Sequence, residues 1–124
     1  PFTTPEQFPI MALAVSRAFY WIDDKDQECS RNFAKAAFRT FFDEGRDISL
    51  PGAVADFAEP LGVDREALLL ALTDPAVKDR LKTETNTALE RGVFGSPFIF
   101  VDGEPFWGAD RLSDVERWLD TGGW

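Results

Sequence analysis

Two short stretches hold residue types able to do chemistry. Ser96-Pro97 stands directly before the apolar run Phe98-Ile99-Phe100-Val101, and Trp107-Gly108-Ala109-Asp110-Arg111 leads into the last amphipathic segment. Proline lacks a backbone donor and is tolerated at a strand's start, and an X-Pro bond is where the cis form costs little. A trans proline entering a strand fits these residues. So does a cis proline that turns the chain and leaves the Ser96 backbone facing outward, where an extended peptide pairs with it by strand addition. In the second stretch Gly108 permits positive φ or close backbone approach. Asp110 is positioned to cap the final helix, whose leading amides form a small anion site. A ligand bearing both an ammonium and a carboxylate suits that pair, with Arg111 assisting. A plain cap and a surface charge account for the same residues, so both readings stand open.

Other chemistries are excluded by composition. The sequence has no histidine, which removes Ser-His and Cys-His nucleophile arrangements and His-based metal sites. Its single cysteine, Cys29, can form neither an intrachain disulfide nor a CxxC pair, and reads as a helix residue without chemistry. A net charge of -9 without a basic stripe disfavours nucleic acid. No run approaches the ~20 apolar residues of a membrane span, and no signal-peptide pattern is visible. The 124 residues are one domain's worth of chain, and 44% apolar with 14% aromatic residues argues for a packed core. Twelve phenylalanines fill a core or line a pocket.

The elements that must hold the two stretches follow from periodicity. Residues 1–9 form an extended lead-in with Pro1, Pro5 and Pro9. Met11, Leu13, Ala14, Val15, Ala18, Phe19 and Ile22 recur at helical spacing. A second helix runs from about residue 27 to 44, with Phe33, Ala34, Ala37, Phe38, Phe41 and Phe42 on one face. A third opens at Ser49-Leu50-Pro51 and is ended or kinked by Pro60 and Gly62. Asp64 caps a short helix over 65–72, too apolar on all sides for solvent exposure. Asp74-Pro75 starts a helix over 76–91, with Val77, Leu81, Ala88 and Leu89 on a stripe and Arg80 and Glu84 among a solvated charged face. Residues 98–101 read as a strand buried on both faces, Asp102-Gly103 as a hairpin turn and 104–107 as the returning strand, with Pro105 at an edge. A last helix spans 110–119, with Leu112, Val115, Trp118 and Leu119 inward. A two-stranded hairpin is marginal alone, and the sequence opens on Pro1 rather than Met, so the rest of the sheet is expected upstream.

G-V-F-G-S-P-F at 92–98, V-D-G-E-P-F-W-G-A-D-R at 101–111 and the helix that follows resemble the C-terminal part of the 2-hydroxychromene-2-carboxylate isomerases. That family groups with kappa-class glutathione transferases and DsbA-type thioredoxin-fold proteins. R-A-F-Y-W at 17–21, E-G-R-D-I-S at 44–49 and D-P-A-V-K-D-R-L-K at 74–82 are similar too. The resemblance implies an α/β, mostly helical chain: a thioredoxin-like fold with an inserted helical domain, lacking the N-terminal part of the thioredoxin half. Residues 1–74 would be lead-in and insertion, and 75–124 the closing helix, hairpin and helix. It further implies a cis Pro97, Ser96 pairing with the cysteinyl backbone of glutathione, and Ala109 and Asp110 holding its γ-glutamyl end beside Arg111. The sulfur-contacting serine of the family has no counterpart here and is expected in the absent segment.

The implied reaction interconverts 2-hydroxychromene-2-carboxylate and trans-o-hydroxybenzylidenepyruvate in aromatic-compound degradation, with glutathione as a reusable nucleophile. The implied partners are glutathione and a small aromatic carboxylate, with Trp107, Phe106 and Tyr20 in a substrate pocket between the helical and thioredoxin halves. A homodimer and a cytoplasmic setting complete this expectation. Two alternatives stay open: a kappa-type glutathione transferase or DsbA-like thiol oxidoreductase, and a non-catalytic module that binds or self-associates through an open sheet edge.

Overall fold

A computed structural model of the protein describes residues 11–123, so the proline-rich lead-in lies outside the described residues. The chain divides into two compact units, Pro1–Glu84 and Thr85–Trp124, with the boundary inside a helix.

In the first unit, α1 (Leu13–Asp23) and α2 (Gln27–Phe38) are separated by a charged break that Asp26 organises. Its Oδ1 accepts the N–H groups of Glu28 and Cys29 at 3.0 and 3.1 Å, satisfying donors that a helix start leaves orphaned. The buried Ser30 hydroxyl lies 2.7 Å from Asp23 Oδ1 and 2.9 Å from the Gln27 carbonyl, holding the end of α1 against α2. The expected extent of the second helix is met, but its last turn is π-helical, Arg39–Asp43. The wider turn buries both Thr40 and Phe41.

α3 (Pro51–Ala58) carries Pro51 in its first turn and passes into a tight 3-10 turn that Gly62 ends at φ 90°. α4 (Arg65–Ala71) is capped by Asp64, whose Oδ1 accepts from Glu66 N–H at 2.9 Å. The core joins Ala18, Ile22, Phe33, Val54, Ala58 and Leu68, and its alanines let backbones approach closely. The expectation that α4 is covered on all sides fails: Leu68, Ala71 and Leu72 are buried, but Leu70 is 72% exposed. A seven-residue helix presents only one stripe to α3 and α1. Likewise Phe38 on α2 is exposed rather than inward.

α5 (Pro75–Glu90) contributes to both units. Asp74 Oδ1 accepts from Ala76 N–H at 2.9 Å, and Gly92 takes positive φ beyond the helix end. Val77 is buried, whereas Leu89 on the expected apolar stripe is exposed.

In the second unit β1 (Phe98–Val101) pairs antiparallel with β2 (Glu104–Trp107), opposing Phe98 to Trp107, Ile99 to Phe106, Phe100 to Pro105 and Val101 to Glu104. Asp102 and Gly103 both take positive φ, 51° and 83°, the turn geometry that matches strand twist. Asp102 Oδ2 also accepts the Trp118 indole N–H at 2.8 Å, tying α6 (Leu112–Thr121) to the turn. Phe106 is buried beneath Trp118, ring edge to face at 6.0 Å. β1 is only half-buried, not covered on both faces. Alternation sends Phe106 toward α6, while Phe98, Phe100 and Trp107 share the opposite face. Leu112 and Leu119 are exposed, against the expected inward set, and Val115 and Trp118 are the partly covered ones.

The contrast within α4 gives a stability test. Leu68→Ala should cost about 2–5 kcal/mol through lost burial and the cavity left behind. Leu70→Ala, removing an exposed leucine two residues away, should stay within about 0.5 kcal/mol. Urea unfolding of both variants checks the assignment, and similar losses would contradict it.

Candidate functional site

The second unit brings Ser96, Pro97, Trp107, Ala109, Asp110 and Arg111 into one neighbourhood. Pro97 begins the strand because its missing N–H is not needed there, while its carbonyl accepts the Gly108 N–H at 3.0 Å. That bond extends the ladder past the Phe98–Trp107 pair and fastens the start of β1 to the end of β2. The Ser96–Pro97 peptide bond is cis. Ser96 is exposed and hydrogen-bonds no described residue, and β2 is the one described strand beside β1. A backbone edge with free donors and acceptors therefore opens at Ser96.

Gly108, at φ 101°, directs the chain into the 3-10 turn Ala109–Arg111 and then α6. Arg111 N–H reaches back to the Gly108 carbonyl at 3.1 Å. Asp110 does not cap α6 as expected: no side-chain cap bond is made at either helical start. The reason is geometric, because Asp110 lies inside the tight turn and its carboxylate folds back over Gly108, occupying the space of a Cβ. Asp110 is exposed, and the first amides of the turn have no intrahelical acceptor. Arg111 Nε donates to Asp114 Oδ2 at 2.6 Å, and its guanidinium lies 5.3 Å from the Phe106 ring centre. Its charge is thus already paired, with Phe106 beneath it as a buried support.

Sequence reasoning passed over Phe94 and Gly95. The Trp107 indole lies on Gly95 where any side chain would collide, and Phe94 packs on Trp107 and Phe98 at 5.0 and 5.3 Å. Phe94 and Trp107 are 72% and 53% exposed, so the group presents flat aromatic surface beside Ser96. The signal was a glycine between a phenylalanine and Ser96-Pro97, readable only once Trp107 is known to cross it.

Tyr20 belongs to the first unit. It lines a cavity of about 460 Å³ between α1, α2 and the π-helical turn, with Ser16, Phe19, Phe38, Phe42 and Leu81 among its walls. Arg80, expected on a solvated face, instead forks onto Asp24 at 3.1–3.2 Å, pairs with Glu84 and stands 4.9 Å above the Tyr20 ring. Burial raises the Tyr20 phenol above its ordinary 10.0, reinforced by Glu84 and Asp23 and opposed by Arg80. Cys29, half-buried, is raised by burial and then Asp26, which favours its protonated thiol. Among the described residues no helix is long and apolar enough to cross a membrane.

The model of the DSBA-like thioredoxin domain matches residues 1–120 of the chain. Among curated proteins, a 2-hydroxychromene-2-carboxylate isomerase of Sphingobium xenophagum is 34% identical over 95 residues, covering 77% of this chain and 49% of that protein. An isomerase of the same name from Pseudomonas putida is 34% identical over 98 residues, covering 79% and 47%. A glutathione s-transferase kappa 2 of Caenorhabditis elegans is 28% identical, covering 96% and 58%. A solved structure of selenomethionine 2-hydroxychromene-2-carboxylate isomerase superposes with a TM-score of 0.82 at 29% identity, covering 97% of this chain and 57% of that one. The chain spans about half the length of the curated relatives it matches.

Two measurements follow from this geometry. Gly95→Ala should displace the Trp107 indole, shift tryptophan fluorescence and cost about 1–3 kcal/mol; an unchanged spectrum would show that the indole does not lie on Gly95. Tyr20 is the sole tyrosine, so tyrosinate absorbance reports it alone. Its midpoint should lie above 10.0 in the folded protein and return to the ordinary value in urea. The folded state then holds this proton more tightly than the unfolded one, so the Tyr20 contribution to stability falls as pH rises past 10.0.

Proposed function

The chain belongs to the DSBA-like thioredoxin domain family, and we propose that it supplies one wall of the glutathione site of an isomerase acting on 2-hydroxychromene-2-carboxylate. The observation that carries this reading is the Pro97–Gly108 hydrogen bond, which puts an open backbone edge at Ser96 beside a helical start bearing Asp110. Those donors and acceptors fit glutathione chemically. It is an extended peptide with a zwitterionic γ-glutamyl end.

In this reading the Ser96 backbone pairs with the cysteinyl residue by strand addition. Asp110 receives the γ-glutamyl ammonium, and the leading amides of the turn at Ala109 receive the carboxylate. Pro97 and Gly108 set the spacing of those two contacts. Arg111, held by Asp114 and supported by Phe106, stabilises the turn that presents those amides. Trp107 offers an exposed indole face to a flat aromatic acid, while Phe106, buried on the opposite face of the hairpin, supports α6 and Arg111 instead of meeting the substrate. Bound glutathione supplies a thiol able to add reversibly to a conjugated acid. Tyr20 stands in the other unit, and this half-site is built without it.

The division into residues 1–74, inserted helical domain, and 75–124, closing thioredoxin portion, is part of the same proposal. So are a cytoplasmic, glutathione-containing setting and a homodimer, the latter supported by the open strand edges. A second reading, a kappa-type glutathione transferase, is favoured by the similarity to the Caenorhabditis elegans protein.

The test is an isomerisation assay on the protein that carries this chain at its relatives' full length. Turnover should require glutathione without consuming it; turnover indifferent to glutathione would sink the proposal, and net thioether formation would favour the transferase. Asp110→Asn should raise the KM for glutathione about tenfold with kcat little changed, the mark of lost binding of the ammonium. The 124-residue chain alone should bind glutathione weakly or undetectably by calorimetry, and tight binding would show that one wall suffices.

A further inference from the structure

We infer that the cavity of the helical unit is a binding site for a small, neutral, planar aromatic molecule, built without any residue of the glutathione half-site. Its volume of about 460 Å³ lies within the range of about 300–1,000 Å³ usual for small-molecule sites. Five phenylalanines line it, and the rings of Phe38 and Phe42 stand nearly parallel, 11° apart in tilt with centres separated by 6.1 Å. Such surfaces favour a flat ring over a branched aliphatic group. The π-helical turn shapes this wall, because it carries Phe41 and Phe42 onto one side of the cavity together with Phe38.

The polar groups select the ligand further. Ser16 and Tyr20, four residues apart on one face of α1, both line the cavity, and no described residue hydrogen-bonds their hydroxyls. Two lining residues whose hydroxyls no described residue bonds are suited to a ligand carrying one hydroxyl or carbonyl. The charges around Tyr20 disfavour an ionic ligand. Glu84 and Asp23 both act on Tyr20, so a carboxylate entering there meets like charge. Arg80 is the cation at the Tyr20 ring, and Asp24 and Glu84 already occupy its guanidinium, leaving it poorly placed to receive an anion. That same guanidinium opposes a cationic ligand, whose burial among phenylalanines would also be costly. A neutral aromatic remains, which distinguishes this site from one that accepts an aromatic acid.

Titrating the 124-residue protein with 2-naphthol and with 2-naphthoate tests the inference. The naphthol should bind saturably at one site per chain, at least about tenfold tighter than the anion. Tyr20→Phe should weaken the naphthol about fivefold while leaving naphthalene unaffected, the difference expected for one hydrogen bond. Ala34→Leu, which fills the cavity from α2, should weaken both naphthol and naphthalene about tenfold or more with the helical circular dichroism unchanged. No saturable naphthol binding, equal affinity for the carboxylate, or Tyr20→Phe weakening both ligands alike would overturn the inference. If Ala34→Leu disrupts the fold, the Tyr20→Phe comparison still decides. Sedimentation in the same titration separates a small-molecule site from a contact between two copies: dissociation of a dimer by naphthol would overturn the inference in favour of the second copy. None of these outcomes depends on glutathione or isomerase activity.

Discussion

One hydrogen bond, from the Gly108 N–H to the Pro97 carbonyl, holds the second unit's chemistry together. Ser96 and Asp110 are separated along the chain by a whole hairpin, and this bond carries the ladder one step past the Phe98–Trp107 pair, so that an open strand edge stands beside a helical start. The bond is available because each residue type leaves one group free. Proline brings no donor to the strand start but keeps its carbonyl, and glycine at φ 101° turns the chain while still presenting its N–H. The rest of the unit maintains the geometry. The Asp102-Gly103 turn sets the register, and Trp118, bonded to Asp102, holds α6 on the Phe106 face. Gly95 leaves room for the Trp107 indole to lie across the approach to Ser96.

The helical unit rests on a different principle, close approach of small residues. Ala18, Val54, Ala55, Ala58 and Leu68 have no exposed surface, so α1, α3 and α4 meet with little space between them. On the opposite side of α1 the partners are large and aromatic, and they do not close the gap. The π-helical turn is the local cause. It buries Phe41 against Ala37 and Ile48, and Phe41 lines the cavity together with Phe38 and Phe42. Arg80 of α5 then reaches Asp24 at the end of α1 while also pairing with Glu84 on its own helix, in a network whose exposed members contribute modestly to stability but set the charge around Tyr20.

Helix positions were legible in the sequence because their signals are local. Asp26, Asp64 and Asp74 accept the amides that such starts leave unsatisfied, and Gly62 and Gly92 take positive φ at the stops, so caps and glycines read directly as boundaries. The hairpin was equally plain in Asp102-Gly103. Burial was less so. Leu70, Leu89, Leu112 and Leu119 have the composition of inward residues and are exposed, because which stripe of a helix is covered depends on what packs against it. Asp110 illustrates the same limit within three residues: an aspartate at a helix start reads as a cap, yet a tight turn ahead of α6 sends its carboxylate over Gly108.

By itself the sequence determined the order and approximate extent of the elements, the Asp102-Gly103 hairpin turn, and which residue types stand at Ser96-Pro97 and at Trp107–Arg111. These depend on dihedral preferences and hydrogen bonds spanning a few residues. Only the tertiary structure decided that Pro97 and Gly108 bond, that Trp107 covers Gly95, that Arg111 is already paired, and that Tyr20 faces a cavity with its hydroxyl unpaired among the described residues. Each of these is a contact or a gap whose existence depends on how elements pack. Helical periodicity states which side chains share a face; it carries no information about whether the facing surface fills the space or leaves it open.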